Sequence, residues 1–307
     1  ELLNSDQYAD VRVEGLLNGG TSMDKIEDSY AYYLLPEYEH STDWAEEVLR
    51  TGNLRNYNLS ASGGNESGNY FLSGNIVKQK GNVIENSYSS YNFKINSDLN
   101  INKWLKVGES VNYAHTDETP LNDRQGDRIY KQIYRALPMI PVYDETNIQG
   151  GGYGYAPDSA QWNGSNPVAH YNLYEGSRKR DRLFANVYAE IKPFESLTWR
   201  TDISGRYTWN KNEDLFYPFY YINSNQEMRN QYKYELKEAY THRLSSFLTF
   251  NKAFGQHDLT LMQGVEAEEN YSSFINTSAW QLSNINILDT DQFDDALGSK
   301  DSEMDRG

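Results

Sequence analysis

The stretch YNFKINSDL, residues 91–99, alternates strictly between two kinds of side chain. Its even positions are Asn, Lys, Asn and Asp, whereas its odd positions are mostly apolar or aromatic: Tyr91, Phe93, Ile95, Ser97 and Leu99. Because successive side chains of a strand point to opposite faces, this stretch predicts a ribbon with one apolar and one polar face. The pattern recurs about eight times, at roughly the 9–11 residues that a tilted strand needs to cross a bilayer. The sequence therefore predicts an all-β fold, a segment of a transmembrane antiparallel β-barrel with long extracellular loops.

The composition fits such strands and argues against other classes. The chain has 307 residues and a mean hydropathy of −0.81, and no apolar run approaches the ~18 residues of a transmembrane helix. Barrel strands escape that criterion because every second residue is polar, and the 26 Tyr suit the aromatic girdles of a barrel. The formal net charge of −16 argues against nucleic acid as a partner, and zero cysteines exclude a disulfide framework and thiolate chemistry. No signal peptide is visible after Glu1, which predicts a processed or truncated piece.

The alternating segments are joined by connections of two lengths. We predict strands at 53–63, 69–78, 87–99, 104–116, 180–192, 196–210, 239–253 and 258–271. Hairpin-sized turns rich in Gly, Asn and Pro link them in pairs, whereas the other connections are long loops at 117–179 and 211–239. Tight turns at one end and large loops at the other are typical of an outer-membrane barrel, with periplasmic turns and extracellular loops.

This pattern divides the chain into three regions. Residues 1–52 are a polar lead-in of the extracellular loop region, with short helices predicted at 5–20, where Ser5 is the expected N-cap, and at 43–49. Residues 53–275 hold the barrel strands and their loops. Residues 276–307 are predicted to form an acidic loop segment.

The two faces of the strands predict two sets of residues. The apolar face is expected to carry an interfacial aromatic girdle of Trp104, Tyr113, Phe194 and Phe254. Trp104 lies beside a short turn and Tyr113 nine residues farther along, a height of roughly 23 Å at ~3.3 Å per residue and ~40° of tilt. The polar face is expected to line the lumen through Asn92, Lys94, Asn96, Arg200, Asp202 and Arg206. Glu109 and Gln263 interrupt the apolar register and count against a membrane location.

The loop at 117–179 carries the residues expected to contact substrate. Glycines in the run 150–155 let the backbone approach a ligand, and aromatic rings can stack on sugars or peptide side chains. Tyr153, Tyr155 and Trp162 are therefore predicted to bind substrate. The alternative is that these rings pack on neighbouring loops or on a partner protein.

A helix is predicted in the same loop, over residues 123–137. Ile129, Ile133 and Leu137 have helical spacing, and Pro138 ends the run. We expect this helix to pack on the barrel mouth, with docking of a partner as the alternative.

Catalysis and metal binding lack a specific signal. Carboxylates such as Glu266, Glu268 and Glu269 are abundant, but no pair can be identified from sequence as catalytic. The segment 289–295 begins like a calcium loop, yet Phe293 and Asp294 occupy positions that require a ligand and a glycine. A looser Ca²⁺ site and a solvated acidic loop both stay open, and the five histidines lack metal-ligand spacing. We expect no enzyme activity, no cofactor and no transition-metal site.

Five segments together resemble a known family. They are 42–44 (TDW), 56–65 (NYNLSASGGN), 70–74 (YFLSG), 102–108 (NKWLKVG) and 136–144 (ALPMIPVYD). In combination they are similar to the SusC/RagA family, the TonB-dependent transporters of the Bacteroidetes outer membrane, over most of residues 1–275. The resemblance implies a 22-stranded barrel plugged by an N-terminal domain, of which this chain is at most an internal third.

The resemblance also implies a function and its partners. Such transporters import oligosaccharides or peptides across the bacterial cell outer membrane, driven by the TonB system through parts that we do not find in this sequence. A SusD-like surface lipoprotein caps the mouth, and the lipid bilayer covers the apolar face. The rival hypothesis is a secreted soluble β-sandwich that binds glycan through exposed Tyr and Trp, with two sheets covering each other's apolar faces. A glycoside-active enzyme on that scaffold is the third alternative.

Overall fold

The computed structural model describes residues 2–122, 129–162, 164–222, 225–282 and 297–306. Its strands are β1 (Asn53–Asn65), β2 (Gly68–Lys80), β3 (Ser87–Asn100), β4 (Leu105–Thr119), β5 (Tyr174–Phe194), β6 (Leu197–Phe216), β7 (Phe219–Ile222), β8 (Asn225–Glu227), β9 (Gln231–Phe254), β10 (His257–Trp280) and β11 (Leu297–Arg306). Nine of them form one antiparallel sheet in the order β1-β2-β3-β4-β5-β6-β9-β10-β11, and β7 and β8 form a separate hairpin.

Five helices occupy the long-loop side of the chain. They are α1 (Ser5–Asn18), α2 (Met23–Ser29), α3 (Trp44–Val48), α4 (Ile129–Arg135) and α5 (Pro167–Asn172). The first three precede β1, and the last two lie in the connection between β4 and β5. None of the described helices is long and apolar enough to cross a membrane.

All eight predicted strands are present, and their turn ends agree with the prediction to within two residues. At the loop ends β1 and β3 begin where predicted and the other six strands are longer, so the two long connections shrink from 117–179 to 120–173 and from 211–239 to 217–230. The segment 276–307 also differs from the acidic loop expected there, because β10 continues to Trp280 and β11 pairs with it. Beyond the membrane both faces of a strand lie in water, so the hydrogen-bonded ladder continues while the alternation that reveals it in sequence disappears.

The register places most apolar residues of eight strands on one face of the sheet. Directly paired residues of antiparallel strands share a face: Leu72 pairs with Ile95, and Ile95 pairs with Val111. The same face continues across the sheet through Ala185, Gly205, His242 and Glu269 in that row, and through Ile191, Trp199, Leu248 and Gln263 nearer the turns. Leu59 is 80% exposed and Ile203 is 62% exposed on this apolar face. No described part of the chain therefore covers it.

This architecture contradicts the sandwich alternative. A sandwich needs a second sheet facing the first, and the described residues supply only the two-stranded β7–β8 hairpin besides the main sheet. The main sheet is also open within the described ranges, because β1 and β11 stand at its two ends and do not pair with each other. An open, one-sided apolar sheet is what a segment of a larger barrel requires.

A hydrophobic core lies on the long-loop side and joins segments far apart in sequence. We call this region the loop cap: residues 2–52 together with the described parts of 120–173 and 217–230. Its buried residues include Tyr33, Trp44, Val48, Ile133, Leu137, Ile140, Trp162, Tyr171 and Tyr221. Burial raises the pKa of Tyr32, which packs against this core, to about 12. The predicted loops thus form a packed layer.

Two of the segments that carry the family resemblance contact each other in the loop cap. The Trp44 indole is 1% exposed, and its Nε1 donates a hydrogen bond to the Leu137 carbonyl at 2.9 Å. The backbone N–H of Thr42 donates to the Pro138 carbonyl at 2.7 Å. The segments 42–44 and 136–144 therefore fix the lead-in against the long loop.

The helix caps differ in detail from the prediction. The N-cap of α1 is Asn4 and not Ser5: the Asn4 side chain accepts from the Gln7 N–H, and the Gln7 side chain accepts from the Asn4 N–H. This reciprocal capping box satisfies two N–H groups at once, and the Ser5 hydroxyl instead donates to the His40 carbonyl at 2.6 Å. The predicted helix at 43–49 is α3, with Asp43 as its N-cap.

The predicted loop helix is present as α4 over Ile129–Arg135, and residues 123–128 lie outside the described part of the chain. Ile133 and Leu137 are buried in the core of the loop cap. Ile133 of this helix and Leu137, two residues beyond its end, therefore serve packing.

Candidate functional site

The polar face of the sheet holds all six residues predicted to line a lumen. Lys94 pairs with Asn112, which pairs with Phe184, which in turn pairs with Arg206, so Lys94 and Arg206 lie in one row. Asn92 and Asn96 flank Lys94 on the same face of β3, as Arg200 and Asp202 precede Arg206 on β6. The register brings the six together on the face opposite the apolar one, and their lining of a lumen stays a prediction.

The half of the polar face near the short turns is rich in ion pairs. Arg200 Nη2 lies 2.9 Å from Asp202 Oδ1, and Lys106 Nζ lies 3.5 Å from Asp98 Oδ2. The Tyr188 ring sits under the Arg200 guanidinium at 3.8 Å, and its hydroxyl donates to Asp98. These four charges each have a partner of opposite sign, so the wall around them is locally neutral.

The half near the long loops carries arginines that the sequence prediction did not include. Arg178, Arg180 and Arg182 occupy alternate positions of β5 and therefore point to one face. They line a concavity with Asn92, Ser90, Thr116 and Asn212. The signal was present in sequence, because residues 177–182 read SRKRDR. The predicted strand began only at residue 180 and so excluded Arg178, whereas Arg180 and Arg182 lay within it but were not assigned to the lumen.

Three of the four expected girdle residues lie at opposite ends of the apolar face by register, whereas Trp104 precedes the first residue of β4 and belongs to its turn. Trp104, Phe194 and Phe254 all flank short turns and are more than half exposed. Tyr113 lies toward the loop ends, paired with Phe93 and Leu183 on the apolar face. Their contact with the membrane interfaces stays a prediction.

Further aromatic residues that the sequence reasoning missed extend the row of Tyr113. Tyr207 pairs with Tyr240, and Tyr240 pairs with Tyr271. The rings of Tyr240 and Tyr271 stack with centroids 4.8 Å apart, and Tyr207 stacks on Trp209 at 5.8 Å. Polar partners lie at the same height along the strands, where the Tyr113 hydroxyl donates to Asp181 Oδ1 at 2.5 Å. Amphipathic rings with polar tips suit a membrane–water interface.

The three aromatic residues predicted to bind substrate have different environments. Trp162 is 6% exposed, and its Nε1 donates to the Arg135 carbonyl at 2.8 Å, so it belongs to the core of the loop cap and is not placed to contact a ligand. The Tyr153 ring packs 5.4 Å from that of Tyr143, and burial raises the pKa of Tyr153 despite a hydrogen bond with Asn172 that lowers it. Tyr155 is exposed and stays a predicted substrate contact.

The glycine-rich run in this loop serves close packing at Gly154. A Cβ at Gly154 would lie 1.9 Å from the Pro141 carbonyl oxygen, so only glycine fits there. The fully buried Asn166 donates to the Val142 carbonyl at 3.0 Å and to the Gly154 carbonyl at 3.2 Å. The run is therefore held in place by the loop cap.

The acidic residues show no grouping that would hold a metal. Within the described ranges, no cluster of three or more His, Asp or Glu side chains could bind an ion. Glu266 and Glu268 lie on the polar face near Arg243, whose Nη2 is 2.5 Å from Glu268 Oε2. The segment 289–295, considered for calcium, lies outside the described residues.

Comparisons with known proteins agree with this architecture. The chain is 27% identical over 230 residues to the TonB-dependent receptor P3 of Formosa agariphila, which covers 73% of this chain and 22% of that protein. It is 26% identical over 190 residues to the TonB-dependent receptor P26 of the same organism, covering 59% of this chain and 18% of that protein. The chain thus spans about a fifth of the length of these curated relatives. No protein-family model matches it.

Solved structures share the fold. The RagAB peptide transporter superposes with a TM-score of 0.75 at 16% identity, over 99% of this chain and 36% of that chain. The RagAB peptide importer in its open-open state gives a TM-score of 0.75 at 17% identity over the same shares. At 16–17% sequence identity, these structural similarities show a shared fold.

The open sheet, its exposed apolar face and its sorted loops define a segment of a bacterial outer-membrane β-barrel. The relatives found by sequence are TonB-dependent receptors and the neighbours found by structure are RagAB, so both comparisons support the resemblance to a SusC/RagA-type segment. The relatives are named as receptors and importers, not as enzymes.

Proposed function

We propose that this chain forms part of the wall and the extracellular mouth of a TonB-dependent importer of oligosaccharides or peptides. The observation that carries the proposal is the division of eight paired strands into one continuous apolar face and one polar face. Lipid would cover the first face and solute would pass along the second. Energy from TonB would enter through other parts of the receptor. Among the neighbours, RagAB is named as a peptide transporter, which favours peptides as one substrate class.

Single cysteines in two adjacent residues test the assignment of the faces. Ser204 lies on the polar face and Ile203 on the apolar face of β6, and this chain contains no cysteine of its own. In the intact receptor, otherwise free of cysteine and kept in outer membranes, Ser204→Cys should react with the charged water-soluble reagent MTSET. Ile203→Cys should be protected, because a thiol facing hydrocarbon rarely ionises and the reagent does not enter lipid.

The outcome that contradicts the proposal is equal labelling of both cysteines, or labelling of Ile203→Cys alone. As a functional readout, a bulky thiol reagent on Ser204→Cys should reduce TonB-dependent uptake of the solutes that support growth. The same reagent should leave uptake by the cysteine-free receptor unchanged.

We further propose that the loop cap contacts a SusD-like surface lipoprotein. Large apolar side chains remain exposed on it, chiefly Ile148, which is 84% exposed, and also Tyr134 and Tyr143. Exposed apolar and aromatic residues of this kind are typical of protein–protein contacts. Their position on the long-loop side is the extracellular one in outer-membrane barrels.

A charge at Ile148 tests this contact. In an affinity-tagged intact receptor purified from its native outer membrane, Ile148→Glu should lower the recovery of the SusD-like lipoprotein about tenfold or more, because a buried carboxylate replaces an apolar contact. The neighbouring Gln149 is exposed, and Gln149→Glu adds the same charge without removing an apolar side chain. Equal loss with both variants, or with neither, would argue against a contact at Ile148.

A further inference from the structure

The polar face carries a group of cations whose charge is not balanced by nearby carboxylates. We call it the basic patch: Lys94 of β3, Arg178, Arg180 and Arg182 of β5, and Arg206 of β6. Arg182 pairs directly with Thr208, two residues beyond Arg206, and Arg180 pairs with Asn210. At ~3.3 Å per residue and ~4.8 Å between strands, the patch extends roughly 20 Å along the strands and 15 Å across them.

Most of these cations lack an anionic partner. Arg178 is neutralised by Asp214, at 2.6 Å, whereas Arg180 donates to the uncharged Asn210 Oδ1 at 2.7 Å. Lys94, Arg182 and Arg206 form no ion pair or hydrogen bond within the described part of the chain. Besides Asp214, the carboxylate nearest in register is Glu118, paired with Arg178 at the loop edge of the patch.

This imbalance contrasts with the rest of the same face. Toward the turns, Lys106, Arg200 and Arg243 each have a carboxylate within 3.5 Å. Glu268, which also interacts electrostatically with Arg206, is the close partner of Arg243. The chain as a whole carries a formal net charge of −16, so a cationic region is not a consequence of composition. Like charges held close together repel one another, and such a group is stabilised by an anion between them.

The neutral residues around the patch suit a hydroxylated solute. Ser90, Asn92, Thr116 and Asn212 line the same concavity as the three arginines of β5. Amide and hydroxyl groups can donate to and accept from a solute, and a guanidinium binds a carboxylate or sulfate through two parallel hydrogen bonds. The patch therefore offers an oxyanion site within a hydrogen-bonding wall.

We propose that the basic patch binds an oxyanion group, a carboxylate or a sulfate ester, of the transported solute, so that the importer favours acidic over neutral oligomers. This inference rests on the proposed function, because it requires the polar face to line the solute pathway. The alternative occupant is an acidic segment from elsewhere in the receptor, which would neutralise the patch permanently.

Cysteine reaction rates measure the local potential at the patch even when the solute is unidentified. Thr208→Cys places a thiol beside Arg182 and near Arg206, and Ser204→Cys places one on the same strand and face beside the ion-paired Arg243. In the intact receptor, each cysteine is reacted separately with anionic MTSES and with cationic MTSET. The MTSES rate constant divided by the MTSET rate constant is then normalised to the same ratio for a small free thiol. We expect the normalised ratio to be about tenfold higher at Thr208→Cys and close to one at Ser204→Cys.

Removing the charges gives the matched control. Adding Arg182→Gln and Arg206→Gln should return the ratio at Thr208→Cys to within about twofold of the free thiol. A ratio near one at Thr208→Cys before any such change means that the receptor already neutralises the patch, which overturns the inference but leaves the proposed function intact. If neither cysteine reacts with either reagent, the face is not the solute pathway, and the proposed function fails.

Solute probes then distinguish the two oxyanions. Protection of Thr208→Cys from MTSES is measured with hexagalacturonate, which carries carboxylates, with a sulfated dextran oligomer, and with neutral dextran of equal length, all at constant ionic strength. Protection by either anionic probe and not by neutral dextran supports the inference and identifies the preferred group. Equal protection by neutral dextran, or none by any probe, overturns it.

Discussion

Replacing Trp44 with alanine is expected to destabilise the loop cap by about 3–5 kcal/mol, the usual range for a fully buried Trp. The side chain is 1% exposed, and its Nε1 hydrogen bond to the Leu137 carbonyl joins the lead-in to the long loop. The change therefore leaves a cavity and removes one of the two hydrogen bonds that the Leu137 carbonyl accepts, the other coming from the Ile140 N–H at 3.2 Å. In outer membranes containing the intact receptor, proteolysis within residues 2–52 should accelerate about a hundredfold or more, since cleavage follows the population of the opened cap.

Two variants bracket this result. Trp44→Phe keeps most of the buried apolar surface and loses the hydrogen bond, so a smaller acceleration is expected. Leu17 is exposed on α1, and Leu17→Ala should change stability by no more than about 0.5 kcal/mol. Unchanged proteolysis in Trp44→Ala would mean that the loop cap is not a cooperatively packed unit.

An arginine in the centre of the apolar face is expected to cost about 2–4 kcal/mol of barrel stability. Ile203 is suited to this test because it lies midway between Trp199 and Tyr207, four residues from each, and these two aromatic residues are expected at the two membrane interfaces. Its paired neighbours Val187 and Leu244 offer no counter-charge. Ile203→Arg should lower the guanidinium midpoint of the intact receptor refolded into lipid bilayers.

Asn186→Arg provides a control at the same depth on the opposite face. Asn186 pairs with Ser204, the residue after Ile203, and lies near Asp202 on the polar face. An arginine there stays hydrated and near a carboxylate, so little loss of stability is expected. If both arginines cost the same, the apolar face is not the one in contact with lipid.

The strands could be predicted from sequence where lipid and lumen impose opposite demands on neighbouring residues. The stretch from Tyr91 to Leu99 is predictable because its side chains alternate between the apolar and the polar face of the sheet. Beyond the membrane that demand ends, which is why β10 extends nine residues past its predicted end and β11 was not predicted at all. There the ladder is maintained by pairing with a neighbouring strand, and no side-chain pattern reveals it.

The residues of the candidate site were likewise predictable only where they lie in a strand segment that the sequence reveals. Lys94 and Arg206 were assigned to one face from alternation alone, and the register places them in one row. Arg178 was missed because it lies in the part of β5 that was assigned to a loop. Trp162 was expected to bind substrate but is buried. The sequence does not distinguish a loop tryptophan that binds a ligand from one that packs in a core.

The sequence by itself determined the strand segments, their two faces and the sorting of their connections, because these depend on local periodicity and on turn residues. Only the tertiary structure decided which distant segments meet. It joined residues 42–44 to 136–144 in one buried core, and it left Arg182 and Arg206 without a close carboxylate while Arg243 gained Glu268 from the neighbouring strand. Contacts of this kind depend on the register between strands and on the packing of loops, and neither is encoded in the spacing of residues within a single segment.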